Sequence, residues 1–171
     1  MEQLEQVVRT YADMVYRLAY AHMRNPSDAD DIFQDVFLKY AEKSPAFASE
    51  EHRKAWLIRV TVNRCRSHYR SNWWKRIVPL DETTPSAAPA PADPALDEAL
   101  ARLPAKYRTV IHLHYFENYD TSEIAALTGQ RPSTVRAQLT RARQMLGEML
   151  KGEADVCKSL PQHNGAHPAE E

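Results

Sequence analysis

The sequence predicts an all-α chain: two small helical domains joined by a flexible Pro/Ala-rich linker, the second domain a helix-turn-helix. Three observations predict this. Apolar residues recur at helical spacing through most of residues 4–151, with no alternating stretches. Residues 79–95, PLDETTPSAAPAPADPA, hold five prolines and no periodicity, the composition of an extended linker. Residues 121–143, TSEIAALTGQRPSTVRAQLTRAR, read as two short helices around a Gly-containing turn. The expected divisions are an N-terminal domain over 1–76, a flexible linker over 77–95, a C-terminal domain over 96–151 and a polar, disordered tail over 152–171.

In chain order, Leu4, Val7, Val8, Tyr11, Met14, Val15, Leu18 and Ala19 give a first helix over 4–24, broken by Asn25-Pro26. Ser27, with an acid three residues on, reads as the cap of the next helix, 28–42. That helix places Ala29, Ile32, Phe33, Val36, Phe37 and Tyr40 on a broad apolar face. Asp31, Gln34 and Asp35 lie opposite, with Leu38 among them. An acidic patch centred on an apolar residue suits a basic, partly apolar helix; a lone surface leucine is the competing explanation.

Residues 44–52 read as a loop carrying Phe47, followed by a helix from Arg53 to Tyr69. Ile58, Val62, Cys65 and Tyr69 form its buried stripe. Arg59, Asn63, Arg66 and Arg70 share a neighbouring sector, flanked by Trp56 and Val60 and followed by Trp73 and Trp74. Cations interleaved with aromatic rings suit single-stranded nucleic acid, phosphates on the guanidinium groups and bases on the rings. Trp56 is read as core or as part of that face.

Leu96, Leu100 and Leu103 form the first stripe of the C-terminal domain. Pro104 restarts the chain, and a helix over 105–116 turns Val110, Ile111 and Leu113 inward. Asp120 and Glu123 can form a capping box for the helix Thr121 to Thr128. Gly129 takes the left-handed turn, and Pro132 suits the start of the last helix. There Val135, Leu139, Ala142 and Leu146 make a narrow buried stripe. The opposite face carries Ser133, Arg136, Ala137, Thr140 and Arg141, and no acid occurs from Gly129 to Gly147. Solvated faces usually mix both signs; this one suits a groove of phosphates and base edges.

Net charge is −1, but it is segregated. Residues 52–76 hold eight basic residues and no acidic one, whereas residues 1–51 carry −5. Residues 129–151 carry +4, between stretches of −5 and −3. Two basic islands suggest two contacts on one polyanion. No apolar run approaches a membrane span, and MEQLEQVVRT lacks a signal-peptide core, so a cytoplasmic protein with no direct membrane insertion is expected. Two cysteines, Cys65 and Cys157, imply no disulfide framework.

No enzyme, cofactor or metal site is expected. Four glycines form neither a phosphate loop nor a nucleophile elbow. His112 and His114 face different ways, Cys65 beside His68 lies in an apolar stripe, and Cys157, His163 and His167 have unspecific spacing. An ordinary helix-turn-helix regulator remains as an alternative, although residues 1–76 lack the strand–helix alternation of a receiver domain.

The order of these features resembles a bacterial RNA polymerase sigma factor of the extracytoplasmic-function (ECF) group, over about residues 5–150. DADDIFQDVFLKY resembles the family's region 2.2, AWLIRVTVNRCRSHYR its regions 2.3 and 2.4, and LPAKYRTVIHLHYFENYDTSEIAALTGQRPSTVRAQLTRAR its region 4. The resemblance implies core RNA polymerase, through its β′ and β subunits, promoter DNA and an anti-sigma factor as partners. It implies that Asp31, Gln34, Asp35 and Leu38 dock on a β′ coiled coil. Phe47, Arg53, Trp56, Arg59, Asn63, Arg66 and Arg70 would meet the melted −10 strand. Arg131, Ser133, Thr134, Arg136, Ala137, Thr140 and Arg141 would meet the −35 duplex. Thr121-Ser122 departs from the aromatic or acidic residues expected there, and the tail past 151 has no counterpart in the minimal plan.

Overall fold

A computed structural model describes residues 2–71 and 92–151. Contacts divide the chain into two compact units, Met1–Ala90 and Pro91–Glu171. Trp73, Trp74 and the tail residues Cys157, His163 and His167 lie outside the described residues.

The first unit is built of α1 (Glu2–Met23), α2 (Pro26–Lys43) and α3 (Glu50–Ser71), each packed on the other two. Its core joins Val7, Val15 and Ala19 of α1 to Ala29, Ile32, Val36, Phe37 and Tyr40 of α2 and Leu57, Val60 and Cys65 of α3. Ile32, Ile58 and Leu57 are fully buried, a hydrophobic gain of about 1.5–3 kcal/mol for each such side chain. Burial also pushes the Cys65 thiol up to about 12, so it is a small apolar group here.

Two boundaries differ from the sequence reading. The cap of α2 is Asn25, not Ser27: its side chain accepts from the Asp28 amide at 3.1 Å, with Pro26 as the first helical residue. Proline at that position loses only an N–H that would have no intrahelical partner. Helix α3 begins at Glu50, three residues before Arg53, and its first amides are met by Ser49: the His52 amide donates to Ser49 Oγ at 3.2 Å.

The second unit contains α4 (Pro94–Arg102), α5 (Ala105–Ile111) continued by a π-helical turn (His112–Phe116), α6 (Thr121–Thr128) and α7 (Pro132–Met149). Helix α4 begins inside the expected linker, with Asp93 as its cap and Pro94 as first residue. Helices α4, α5 and α6 all pack on α7. The predicted inward residues Val110, Ile111, Leu113, Val135, Leu139, Ala142 and Leu146 are all buried. The predicted capping box is formed: Glu123 N donates to Asp120 Oδ1, and Asp120 N to Glu123 Oε2, each at 2.8 Å.

Gly129 ends α6 with φ of 68°, a left-handed conformation that costs a side-chain-bearing residue about 1–2 kcal/mol. The adjoining amide of Gln130 donates to Ala125 O at 3.0 Å, which closes the turn between α6 and α7. Among the described residues no strand occurs, and no helix is long and apolar enough to cross a membrane.

Candidate nucleic-acid and partner interfaces

Helix α7 presents one clean face. Arg131, Ser133, Thr134, Arg136, Ala137, Thr140 and Arg141 are all exposed, while Val135, Leu139, Ala142 and Leu146 anchor the opposite side. Arg131 occupies the cap position and makes no side-chain capping bond. The first amides of α7 thus lack a side-chain acceptor from the cap, as suits a phosphate at a helix N-terminus. The fixed turn at Gly129 and the buried Val135 aim this face outward.

Helix α3 carries the second basic surface. Arg59, Asn63 and Arg70 are exposed, and Arg66 is half-buried. Burial and then the neighbouring Arg70 push the Arg66 guanidinium below the ordinary arginine value, though it remains a cation at any relevant pH.

Phe47, Arg53 and Trp56 are drawn inward instead. Trp56 is half-buried, its ring 5.8 Å from Tyr40 and 5.9 Å from Phe47, both edge-on. Phe47 stacks on Tyr40 at 6.3 Å. The Arg53 guanidinium lies 5.6 Å over the Phe47 ring and also pairs with Glu50. Glu50 in turn accepts from the Tyr11 hydroxyl of α1 at 2.8 Å. Trp56 therefore packs at the core edge rather than standing free beside Arg59 and Asn63. Of the two readings its helical position allows, aromatic pairing and desolvation select the core.

On α2, Asp31, Gln34, Asp35 and Leu38 are all exposed, on the side opposite Ile32 and Val36. Leu38 is 60% exposed and, with Phe116, one of two large apolar side chains so exposed among the described residues. An acidic rim around an uncovered leucine is a surface of the composition expected for a partner helix.

Three further relationships are not among those the sequence predicts. Tyr11 and Glu50 are 39 residues apart, and nothing local announces their contact. Arg143 Nε donates to Tyr115 Oη at 2.5 Å; here a signal was available, since Arg143 follows Arg136 by seven residues and shares its helical face. His68 Nε2 lies 3.0 Å from Asp28 Oδ1, joining the last turn of α3 to the first turn of α2. An acid at a helix N-terminus and a base at a C-terminus each suit the local dipole. With Asp31, this pair gathers ligand atoms within 4.8 Å of one another, the one such group among the described residues.

This arrangement is that of a two-unit helical protein of the helix-turn-helix class: a helix-turn-helix with a basic face in one unit, and in the other a basic helix and an acidic patch around an exposed leucine. The comparisons make the class specific. A family model described as Sigma-70 region 2 matches residues 7–75, and one described as Sigma-70, region 4 matches residues 94–146. The RNA polymerase sigma factor SigV of Bacillus subtilis is 32% identical over 143 residues, spanning 81% of this chain and 85% of that protein. The ECF RNA polymerase sigma factor SigM of Mycobacterium tuberculosis is 29% identical over 149 residues, 85% of this chain and 76% of its own length. The fold is similar to that of the sigma factor RpoE, solved with the anti-sigma factor NepR, from Bartonella quintana, with a TM-score of 0.69 at 22% identity over 90% of this chain and 99% of that one. The chain belongs to the ECF group of the sigma-70 family of RNA polymerase sigma factors.

Proposed function

We propose that this sigma factor binds core RNA polymerase in the cytoplasm through α2, reads the −35 element as duplex through α7, and captures the melted −10 strand through α3 and the segment before it. The observation that carries the reading is the face of α7: every predicted contact residue is exposed, every predicted core residue is buried, and no acid interrupts it from Gly129 to Gly147.

Asp31, Gln34, Asp35 and Leu38 dock on the β′ coiled coil, an acidic rim closing over a basic helix around an apolar centre. Region 4 is held near the β subunit, so that core polymerase fixes the spacing of two units otherwise joined by a Pro/Ala-rich segment. Binding of the second promoter element then becomes effectively intramolecular. Arg131, Ser133, Thr134, Arg136, Ala137, Thr140 and Arg141 contact the −35 groove, with the arginines best suited to guanine edges or phosphates.

Arg59, Asn63, Arg66 and Arg70 track the phosphates of the single strand. Phe47, Arg53 and Trp56 form the aromatic and cationic corner beside it, where an unstacked base can be held. Because these groups bind the open strand better than the duplex, they shift the melting equilibrium by that difference in affinity. The bond-forming chemistry belongs to the polymerase, and the chain supplies no catalytic group.

An anti-sigma factor is the expected regulator. RpoE of Bartonella quintana was solved with NepR, and CnrH with the cytosolic domain of CnrY. The exposed surfaces of α2 and α7 are available for the same kind of sequestration.

Run-off transcription with core polymerase on DNA upstream of the protein's own gene tests the reading. A new, discrete start site that depends on the protein is the expected result. Duplex binding by the protein alone, with neither core binding nor a transcript, would instead establish an ordinary helix-turn-helix regulator.

A further inference from the structure

The basic face of α7 continues beyond the residues assigned above. Arg143 lies seven positions past Arg136 and three past Thr140, so all three share one side of the helix. It is exposed, yet its guanidinium is held in place. Its Nε donates to Tyr115 Oη at 2.5 Å, and its Cζ lies 5.5 Å from the centre of the Tyr115 ring. Tyr115 belongs to the π-helical turn, where it meets the His114 ring edge-on at 4.8 Å. His114 is tied in turn to Tyr119 O at 2.8 Å. A π turn re-aims the side chains that follow it and recurs at functional sites.

An arginine has five N–H donors, and the bond to Tyr115 uses the one on Nε. The four donors on the two Nη atoms form the fork that matches two phosphate oxygens. Fixing a long side chain costs rotamer entropy at the moment of binding unless it is already fixed. Tyr115 fixes this one beforehand. Position along the helix decides what it meets. In a helix-turn-helix the first turns of the recognition helix reach base edges. Arg143 stands about 10 Å further along than Arg136, at 1.5 Å per residue, where a straight helix leaves a curving groove and passes its phosphate wall.

We propose that Arg143 is a phosphate anchor for duplex DNA and that Tyr115 is its positioning residue. The contact is blind to sequence; it sets how deep and in what register α7 sits in the groove. This rests on reading α7 as the duplex-binding helix.

The test uses holoenzyme reconstituted from core polymerase and the full chain. Its affinity is measured for two fluorescent duplexes, the promoter and the same DNA with a scrambled −35 element, across a salt series. Arg143→Ala should weaken both by one common factor, about fivefold near 0.1 M salt, and lower the slope of log K against log salt by about 0.9. Arg143→Lys should restore the slope. Tyr115→Phe keeps the charge but frees the side chain, so it should weaken both duplexes by a smaller factor with the slope unchanged.

A purely structural role for the pair would lower thermal stability and leave the salt slope alone, and that result overturns the proposal. A loss confined to the promoter duplex overturns it too, by making Arg143 a reader of bases. Arg136→Ala separates this inference from the reading beneath it. If Arg136→Ala reduces promoter discrimination while Arg143→Ala leaves the slope unchanged, the anchor alone is wrong. If neither variant alters duplex binding, α7 is not the duplex-binding helix.

Discussion

The hydroxyl of Tyr11, on α1, donates to Glu50 Oε2 at 2.8 Å, across 39 residues of chain. Glu50 also pairs with Arg53, and Arg53 covers the Phe47 ring. One carboxylate thus ties the first helix to the segment proposed to hold a −10 base. Burial, reinforced by the Glu50 bond, pushes the Tyr11 hydroxyl up to about 12, so it remains a donor across the whole working range. The Tyr11 and Arg53 bonds hold Glu50 below its ordinary value of 4.5.

The pH dependence follows from that direction. A carboxylate depressed in the folded state contributes stability above its unfolded value and loses it as pH falls through the folded one. Tyr11→Phe should therefore lower the thermal midpoint by a constant amount above pH 4.5, and the difference from wild type should close in more acid solution. Parallel melts from neutral into acid solution measure this; a gap that stays undiminished in acid would mean that the hydroxyl is stabilised through the Glu50 carbonyl, 3.4 Å away, rather than through the carboxylate.

The cap of α2 gives a second outcome. Asn25 Oδ1 meets the Asp28 amide, whereas Ser27 is an exposed residue inside the first turn. Asn25→Ala should cost about 1 kcal/mol, the usual value of a side-chain cap, and Ser27→Ala only a few tenths. Urea titration of the full chain followed by tryptophan fluorescence reports on this unit. The reverse ranking would return the cap to Ser27.

That cap also shows how far the sequence could be read. Three helices, α2, α4 and α7, begin with proline as first residue: Pro26, Pro94 and Pro132. At Pro132 the sequence reads as a helix start, whereas Pro26 reads as a breaker and Pro94 as linker. Asn25 and Asp93, good cap residues directly before each of these prolines, mark the same kind of helix start. The buried stripe of α7 and the capping box of α6 depend only on spacing within one helix, and both were legible. For Trp56 the helical position admits both core and open face, and the choice between them rests on Tyr40 and Phe47, which reach it through tertiary packing. Tyr11 and Glu50 likewise meet through tertiary packing.

Leu38 and Ile32 stand six residues apart on α2, one 60% exposed and the other fully buried. Truncating them should separate stability from docking. Ile32→Ala leaves a core cavity and should destabilise the first unit by about 2–5 kcal/mol. Leu38→Ala should change stability by less than about 0.5 kcal/mol yet weaken capture by core polymerase. Asp31→Arg and Asp35→Arg should weaken it further, by placing a cation where the proposal has a basic partner helix. Pull-down with purified core, beside thermal melts of each variant, reads both quantities. Unchanged core binding in Leu38→Ala and Asp35→Arg together would remove α2 as the docking surface.

Arg136 gives the complementary separation in the second unit. It is exposed on α7, one residue after the fully buried Val135, so the backbone beneath it is held while its side chain is not needed for packing. Removal should therefore leave the fold intact. A bidentate arginine contact to a base edge discriminates by about 1–3 kcal/mol, so Arg136→Ala should cut promoter-specific transcription by about fivefold to 150-fold. Core binding should not change, because the docking surface proposed on α2 lies in the other unit. Run-off transcription and core pull-down on the same preparation decide the matter. Parallel loss of both activities would mean that Arg136 serves assembly with the polymerase, and the base-reading role would then pass to other residues of the same face, with Arg141 first among them.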